Sequence, residues 1–347
     1  MNGNRQSRRL GICWARLVSG GGQYALGGSA ARSSNPSVRA AGLLLLYLLG
    51  VLLGAALLAP PLHQLGQWAA VDAGLLPGLA KQPFHRYLNR CLLIAALVGL
   101  WPFIRAFRLN RTVALGWAWT PLAGRRLGLG LAVGFVSLSA VALGVVAVGV
   151  RSLNLPPSLP LLLALVGKAA LTAIVVAVLE EVLFRGVIFG AMRQSWSLPV
   201  AIVSSGVIYA VLHFMARVEH PGPVVWHSGL SLLPRMMQGM IAPENLFPAG
   251  LTLTVGGAVL ALAYARTGSL WFSIGLHAGW VFWLKVFKSL TGPGTHPGGA
   301  FWGTDKLLDG WLALLVMLGL LAGVACIRWQ AQTPSTPDEP LNRPPLA

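Results

Sequence analysis

Residues Leu161–Met192 read LLLALVGKAALTAIVVAVLEEVLFRGVIFGAM, an apolar stretch that contains two adjacent carboxylates, Glu180 and Glu181. A helix of about 20 apolar residues is long enough to cross the hydrocarbon core of a bilayer. Ionisable groups inside such a helix are costly to bury, and they usually mark active sites or ion pathways. The stretch therefore predicts a membrane helix that carries a functional site.

The composition of the whole chain also indicates a membrane protein. Of its 347 residues, 55% are hydrophobic and only 10% are charged, whereas soluble domains carry about 25% charged residues. We therefore predict an all-α fold, a polytopic membrane helix bundle with about eight transmembrane helices. The predicted spans are Ala40–Ala59, Leu88–Phe107, Leu127–Val150, Leu161–Met192, Leu198–Met215, Phe247–Ala265, Leu270–Lys288 and Leu308–Trp329.

The net charge of +17 does not indicate a nucleic-acid partner. The basic residues are scattered in short groups between apolar spans, without the single patch or motif of a nucleic-acid binder.

The positions of the basic residues predict the orientation of the chain in the membrane. Positively charged loops are retained in the cytoplasm, and counting Lys and Arg on the two sides favours cytoplasmic positions for both termini. The short arginine-rich loops favour a bacterial inner (plasma) membrane as the location, with the lipid bilayer as a partner.

Helical spacing separates the two glutamates. Glu181 and Arg185 are four residues apart with the glutamate first, the favourable order for an ion pair on one helix face. Glu180 lies about 140° around the helix from Arg185, too far for easy pairing, so its environment must come from other helices. We expect Glu181 and Arg185 to be structural and Glu180 to act as a general base.

Two histidines fall at the depth of Glu180. His213 follows Tyr209 by four residues, and His277 follows Ser273 by four, so each pair shares a helix face. Counting ~1.5 Å per residue from the cytoplasmic ends places Glu180, His213 and His277 at ~18, ~22 and ~11 Å. The three side chains can meet inside the membrane if the fourth span stays helical throughout.

This ordered pattern resembles a known protease family. The residues are Glu180-Glu181-x-x-x-Arg185, then Tyr209-x-x-x-His213, then His277. They resemble the CAAX-processing and bacteriocin-processing (CPBP, or Abi) intramembrane protease family from about Leu161 to Leu290. The resemblance implies an intramembrane endopeptidase in which Glu180 and His213 activate water. It also implies that His277, with a polar residue four positions later, stabilises the oxyanion.

The chain departs from the family pattern at two positions. Tyr209 replaces the usual phenylalanine and adds a hydroxyl. Val281 replaces the usual Asn or Asp and cannot donate or accept a hydrogen bond. A neighbouring side chain could supply the missing donor, the candidates being Tyr209, Ser205, Ser273 and Trp280.

Two other questions stay open at this point. Glu180, His213 and His277 are acceptable zinc ligands, but a ligating Glu180 would no longer be a free base, so we favour no cofactor, with zinc as the alternative. We expect a membrane-anchored protein or peptide as the substrate, of unspecified identity.

Two other functions compete with the protease. One is a proton- or ion-coupled transporter built on the same residues. The other is a catalytically weakened scaffold, which the loss of the polar side chain at Val281 would permit.

These patterns divide the chain into five parts. The polar, basic first segment and the proline-rich tail lack the apolar residues needed for a core, so we predict that both are disordered. The predicted parts are a disordered segment 1–39, N-terminal transmembrane helices 40–159, a CPBP-like catalytic core 160–290, the last transmembrane helix with its preceding loop 291–329, and a disordered tail 330–347.

Overall fold

The computed structural model describes residues 35–109, 115–216, 218–242 and 246–327, and these ranges are almost entirely helical or connecting loops. The helices are α1 Pro36–Gln67, α2 Phe84–Ala106, α3 Ala123–Ala147, α4 Leu159–Glu181, α5 Gly190–Arg193, α6 Leu198–His213, α7 Ser228–Ile241, α8 Leu251–Thr267, α9 Leu270–Leu290 and α10 Trp311–Cys326. Three π-helical stretches, Trp68–Asp72, Val182–Phe189 and Leu246–Gly250, extend or join them, and Pro77–Leu79 forms a 3₁₀ turn. Two short strands, β1 Arg151–Leu153 and β2 Thr291–Pro293, pair antiparallel.

The predicted all-α polytopic bundle is confirmed, and the chain is an integral membrane protein. Within the described ranges, six helices are long and apolar enough to span a bilayer. Helices α6 and α10 are apolar but have 16 residues each. At 1.5 Å per residue each extends about 24 Å, short of the ~30 Å hydrocarbon core. The count of eight therefore holds only when these two shorter helices are included.

The observed helix ends differ from the predicted ones. Helix α1 begins at Pro36, inside the segment predicted to be disordered, and continues through Pro60 and Pro61 to Gln67. The side chain of Asn35 accepts a hydrogen bond from the backbone N–H of Ser37 and caps this early start.

The structure does not test three of the expectations, which stay predictions. They concern the disorder predicted for residues 1–34 and 328–347, the orientation of the termini and the bacterial location.

Helices α3 and α9 pack closely because glycines face each other across their interface. A Cβ at Gly134 would overlap the carbonyl oxygen of Leu276, and a Cβ at Gly275 would overlap the carbonyl oxygen of Leu127. Small residues let membrane helices approach until their backbones touch, where van der Waals packing replaces the hydrophobic effect as the main attraction. This contact fixes the helix that carries His277.

Helices α6 and α8 approach each other in the same way. A Cβ at Gly206 would come within 2.6 Å of the carbonyl oxygen of Thr254, and a Cβ at Gly257 would come within 2.9 Å of the Cα of Gly206. A turn at Gly268, whose φ is +63°, ends α8 before α9 begins. The helices that carry His213 and His277 are therefore both fixed around α8.

The loop between β2 and α10 is held in place at two points. Pairing of β1 with β2 holds its beginning, with Ser152 opposite Gly292. An exposed ion pair of 3.2 Å between Lys288 Nζ and Asp305 holds its middle. Burial raises the pKa of Asp305, but the hydrogen bond and charge of Lys288 outweigh it, so the pKa lies below its usual value.

Candidate active site

The two adjacent glutamates lie at the junction of α4 and a π-helical stretch. Helix α4 ends at Glu181, and Val182–Phe189 then continues in π-helical geometry. The fourth span therefore stays helical, as the depth argument required, but its period is not uniform. Single π-helical turns inside α-helices occur frequently at functional sites.

The predicted pair of Glu181 and Arg185 is present. Arg185 Nη1 donates to Glu181 Oε1 over 2.9 Å, and both side chains are buried, 2% and 0% exposed. Arg185 Nη2 also donates to the carbonyl oxygen of Gly257, and its guanidinium lies 4.6 Å from the ring centre of Tyr209. The arginine therefore links three helices.

Glu181 has a second partner that the sequence did not predict. Nδ1 of His277 lies 2.9 Å from Glu181 Oε1, and the imidazole is 4% exposed. Because a carboxylate oxygen only accepts, the hydrogen is assigned to Nδ1, which donates to Glu181. Nε2 of His277 then faces the other way, towards Glu180 and the hydroxyl of Tyr209.

His213 has the same tautomer for a different reason. Its Nδ1 lies 2.7 Å from the backbone carbonyl oxygen of Tyr209, an acceptor, so Nδ1 again carries the hydrogen. Its Nε2 lies 3.6 Å from Glu180 Oε2, and Nε2 of His277 lies 3.8 Å from the same oxygen. The structure thus brings Glu180, His213 and His277 together from three helices.

Glu180 faces residues of other helices and not Arg185 of its own helix, as its helical position predicted. Among the described residues, its buried Oε2 has no hydrogen-bond partner within the usual distance limit. The side chain as a whole is 27% exposed and that of His213 is 32% exposed, so both can be reached from outside the packed core. An unpartnered buried carboxylate oxygen beside two imidazoles is the arrangement expected of a group that handles protons.

Two cavities open onto these side chains. The first, about 220 Å³, is lined by Glu180, Tyr209, His213, His277, Trp280 and Val281, among others. Lys306, Leu308 and Asp309 of the β2–α10 loop also line it, and the sequence did not predict that they would. The second, about 370 Å³, lies between α1, α2 and the π-helical stretch, and apart from Glu180, His213 and Tyr47 its lining is apolar.

The three converging residues are chemically suitable for zinc, and their spacing is slightly wider than that of bound zinc ligands. Two ligands of a tetrahedral zinc, each at 2.0–2.1 Å, lie about 3.4 Å apart, and Glu180 Oε2 lies 3.6 and 3.8 Å from the two Nε2 atoms. Within the described ranges, no group of three or more His, Cys, Asp or Glu residues has the geometry of a metal site. Both the metal-free reading and the zinc alternative stay predictions.

Comparison with protein families identifies the segment that carries this site. A family model described as "Type II CAAX prenyl endopeptidase Rce1-like" matches residues 161–283, about a third of the chain. Residues 161–283 are therefore similar to a domain of this family. The predicted resemblance is therefore confirmed over almost the same range. No curated protein and no solved structure matches the chain.

The Rce1-like domain contains all six residues that the sequence singled out. They are Glu180, Glu181, Arg185, Tyr209, His213 and His277. This similarity supports intramembrane protease activity in general. It does not test the role of any one side chain, the metal requirement or the substrate.

Proposed function

We propose that the Rce1-like domain is an intramembrane endopeptidase that hydrolyses a peptide bond with water activated by Glu180 and His213. The observation that carries the proposal is the unpartnered Oε2 of Glu180, with one imidazole nitrogen 3.6 Å away and another 3.8 Å away. Glu180 Oε2 and Nε2 of His213 can only accept a hydrogen bond while the carboxylate is ionised and the ring is neutral, and Nε2 of His277 already faces the Tyr209 hydroxyl. A molecule that donates two hydrogens is therefore the natural occupant of the space between the first two atoms.

A water molecule meets this requirement. Lying about 2.8 Å from each acceptor, it donates one hydrogen to Glu180 Oε2 and the other to Nε2 of His213. Glu180 takes the first proton as the water oxygen attacks the carbonyl carbon, and the carbonyl electron pair moves to its oxygen. When the oxyanion collapses, the C–N bond breaks and the leaving amine takes the proton from Glu180. One water and one peptide bond give one acid and one amine.

The role predicted for His277 has a structural requirement. Polarising the scissile carbonyl needs a hydrogen on Nε2, but Glu181 already holds the hydrogen on Nδ1. His277 therefore serves as the oxyanion donor only when both of its nitrogens are protonated.

The second cavity supports a membrane-associated substrate. It has a volume of about 370 Å³ and lies beside Glu180 and His213, between the packed pair of α1 and α2 and the π-helical stretch. A helix with side chains is about 10–12 Å wide, so we propose that an extended segment or a single hydrocarbon chain enters here. The name of the family model refers to prenylated proteins, and a prenyl group is such a chain. We propose a protein or peptide substrate that is cut close to its membrane anchor.

The test compares two glutamate variants of the full chain in proteoliposomes. The probe is an internally quenched, farnesylated peptide that ends in Cys-aliphatic-aliphatic-X, with the same peptide without farnesyl beside it. We expect Glu180→Gln to lower kcat by about 10²-fold or more, and Glu219→Gln, in an exposed loop, to resemble wild type. Cleavage of the probe by Glu180→Gln at the wild-type rate would remove the assigned base. Proton flux that depends on Glu180, without cleavage, would establish the transporter instead.

A further inference from the structure

The proposed hydrolysis leaves the oxyanion without a hydrogen-bond donor. The attacked carbonyl becomes an oxyanion, and active sites stabilise it with donors 2.7–3.1 Å from its position. Both Nδ1 hydrogens point away from the cavity, that of His213 to a backbone carbonyl and that of His277 to Glu181. The neutral rings therefore present only lone pairs to the substrate.

Three of the candidate donors are committed elsewhere. A serine hydroxyl or an indole N–H has only one hydrogen to donate, so each is used up by a single acceptor. Ser205 Oγ donates to the carbonyl oxygen of Ile202 over 3.1 Å, Ser273 Oγ to that of Leu270 over 3.0 Å, and Trp280 Nε1 to Ser137 Oγ over 3.0 Å. Val281 lines the cavity with an apolar side chain.

Tyr209 is the candidate that remains inside the cavity. Its hydroxyl lies 3.3 Å from Nε2 of His277, and its side chain is 5% exposed and lines the cavity with Glu180. The ring is held by an edge contact with Phe184, 5.1 Å between centres, and by the guanidinium of Arg185 at 4.6 Å. With the ring fixed, only the O–H bond can turn. A small rotation moves its hydrogen from the imidazole to an oxygen in the cavity.

We infer that the Tyr209 hydroxyl is the oxyanion donor of this protease and that His277, oriented by Glu181, is the residue that positions it. The inference rests on the proposed function. Tyr209 keeps its proton throughout and contributes a hydrogen bond only. The proton that the amine needs comes from Glu180, as above. This assignment does not require a doubly protonated His277, and it places the donor beside the base across one small cavity.

The central experiment removes the hydroxyl and keeps the ring. We expect Tyr209→Phe to lower kcat by about 10²–10³ with KM changed by less than about threefold, and to leave the melting temperature of the detergent-solubilised protein unchanged. Tyr87→Phe is the matched control, because Tyr87 is also buried but donates to the carbonyl of Leu79, outside the cavity. The substrate is the farnesylated quenched peptide.

A second variant tests the donor role of Tyr209 through a gain in kcat. Val281 lies one turn after His277 and lines the same cavity, so an amide there can reach the same oxyanion. We expect Tyr209→Phe combined with Val281→Asn to regain about tenfold or more in kcat over Tyr209→Phe alone. Val281→Asn alone is the control: if Tyr209 is the donor, the amide gains less in the wild-type background than in Tyr209→Phe, whereas equal gains would show that Tyr209 donates nothing to the oxyanion.

The donor role of Tyr209 must also be separated from that of a charged side chain that lines the same cavity. The exposed Lys306, at the loop side of the cavity, is the rival donor. The inference is overturned if Glu180→Gln is inactive while Tyr209→Phe retains the wild-type rate, or if Lys306→Gln shows the loss instead. Equal rates for wild type and Glu180→Gln would overturn the proposed function itself.

Discussion

Nδ1 of His277 lies 2.9 Å from Oε1 of Glu181, the same oxygen that accepts the hydrogen bond from Arg185 Nη1. One buried carboxylate therefore neutralises an arginine on its own helix and orients a histidine on another. The neighbouring Glu180 takes part in neither contact and faces the cavity. The two adjacent glutamates thus divide the work, because one holds the site together and the other is free to exchange a proton.

Glu181→Gln tests the structural role of Glu181 as the counter-ion of Arg185. The amide has almost the same shape but no charge, so Arg185 would become a buried cation without its counter-ion. Removing one partner of a buried ion pair costs about 3–5 kcal/mol, and we expect a loss of this order in the free energy of unfolding, measured for the detergent-solubilised protein. Glu219→Gln is the matched control at an exposed site. A Glu181→Gln protein as stable as wild type would show that the pair contributes nothing to folding.

His213→Gln separates catalysis from stability at the second imidazole. His213 is 32% exposed and makes one backbone hydrogen bond, so its replacement removes little packing. Its Nε2 is the proposed second acceptor for the water, so we expect kcat to fall by about 10²–10⁴ with the melting temperature nearly unchanged. His296→Gln, in an exposed loop, is the control. Full turnover by His213→Gln would assign the water to Glu180 and His277 alone.

Much of the site could be predicted because it depends on local periodicity. The length of the apolar run places Glu180 within a membrane helix, and the four-residue spacing predicts the pair of Glu181 and Arg185, which is present. The same rule places Tyr209 beside His213, and their ring centres are 4.2 Å apart. These statements concern neighbours on one helix, where geometry follows directly from the sequence.

The depth count predicted that Glu180, His213 and His277 can meet, but the particular contacts between helix faces were not available from the same rules. His277 and Glu181 are 96 positions apart, and no periodic pattern states which face of α9 meets which face of α4. The π-helical stretch after Glu181 was not predicted, because the apolar run shows no break at that point. The entry of the β2–α10 loop into the cavity also depends on the pairing of β1 with β2, strands of three residues each that lie in segments read as loops.

A pair of glycine variants on α3 tests how that helix holds α9 in place. Gly134→Ala puts a methyl group against the backbone carbonyl of Leu276, whereas a Cβ at Gly128, on the same helix, would meet nothing within 4 Å. We expect Gly134→Ala to destabilise the protein by about 1–3 kcal/mol and to lower turnover, since Leu276 precedes His277. Gly128→Ala should be neutral or slightly stabilising. Equal melting temperatures for the two variants would contradict close packing at this interface.

The last prediction concerns metal dependence. If Glu180 is the base, it must be free of a metal ion, so we expect turnover of the farnesylated peptide to survive exhaustive dialysis against a chelator, changed by less than about twofold. The metal content of the dialysed protein is measured in parallel by elemental analysis, so that survival cannot be due to retained zinc. Loss of activity on dialysis, restored by one equivalent of zinc but not by magnesium, would establish the zinc alternative, in which Glu180, His213 and His277 would hold the ion. Zinc would then activate the water, and a group other than Glu180 would have to accept its proton. Because the two mechanisms assign opposite roles to the same carboxylate, this measurement decides between them whatever the natural substrate is.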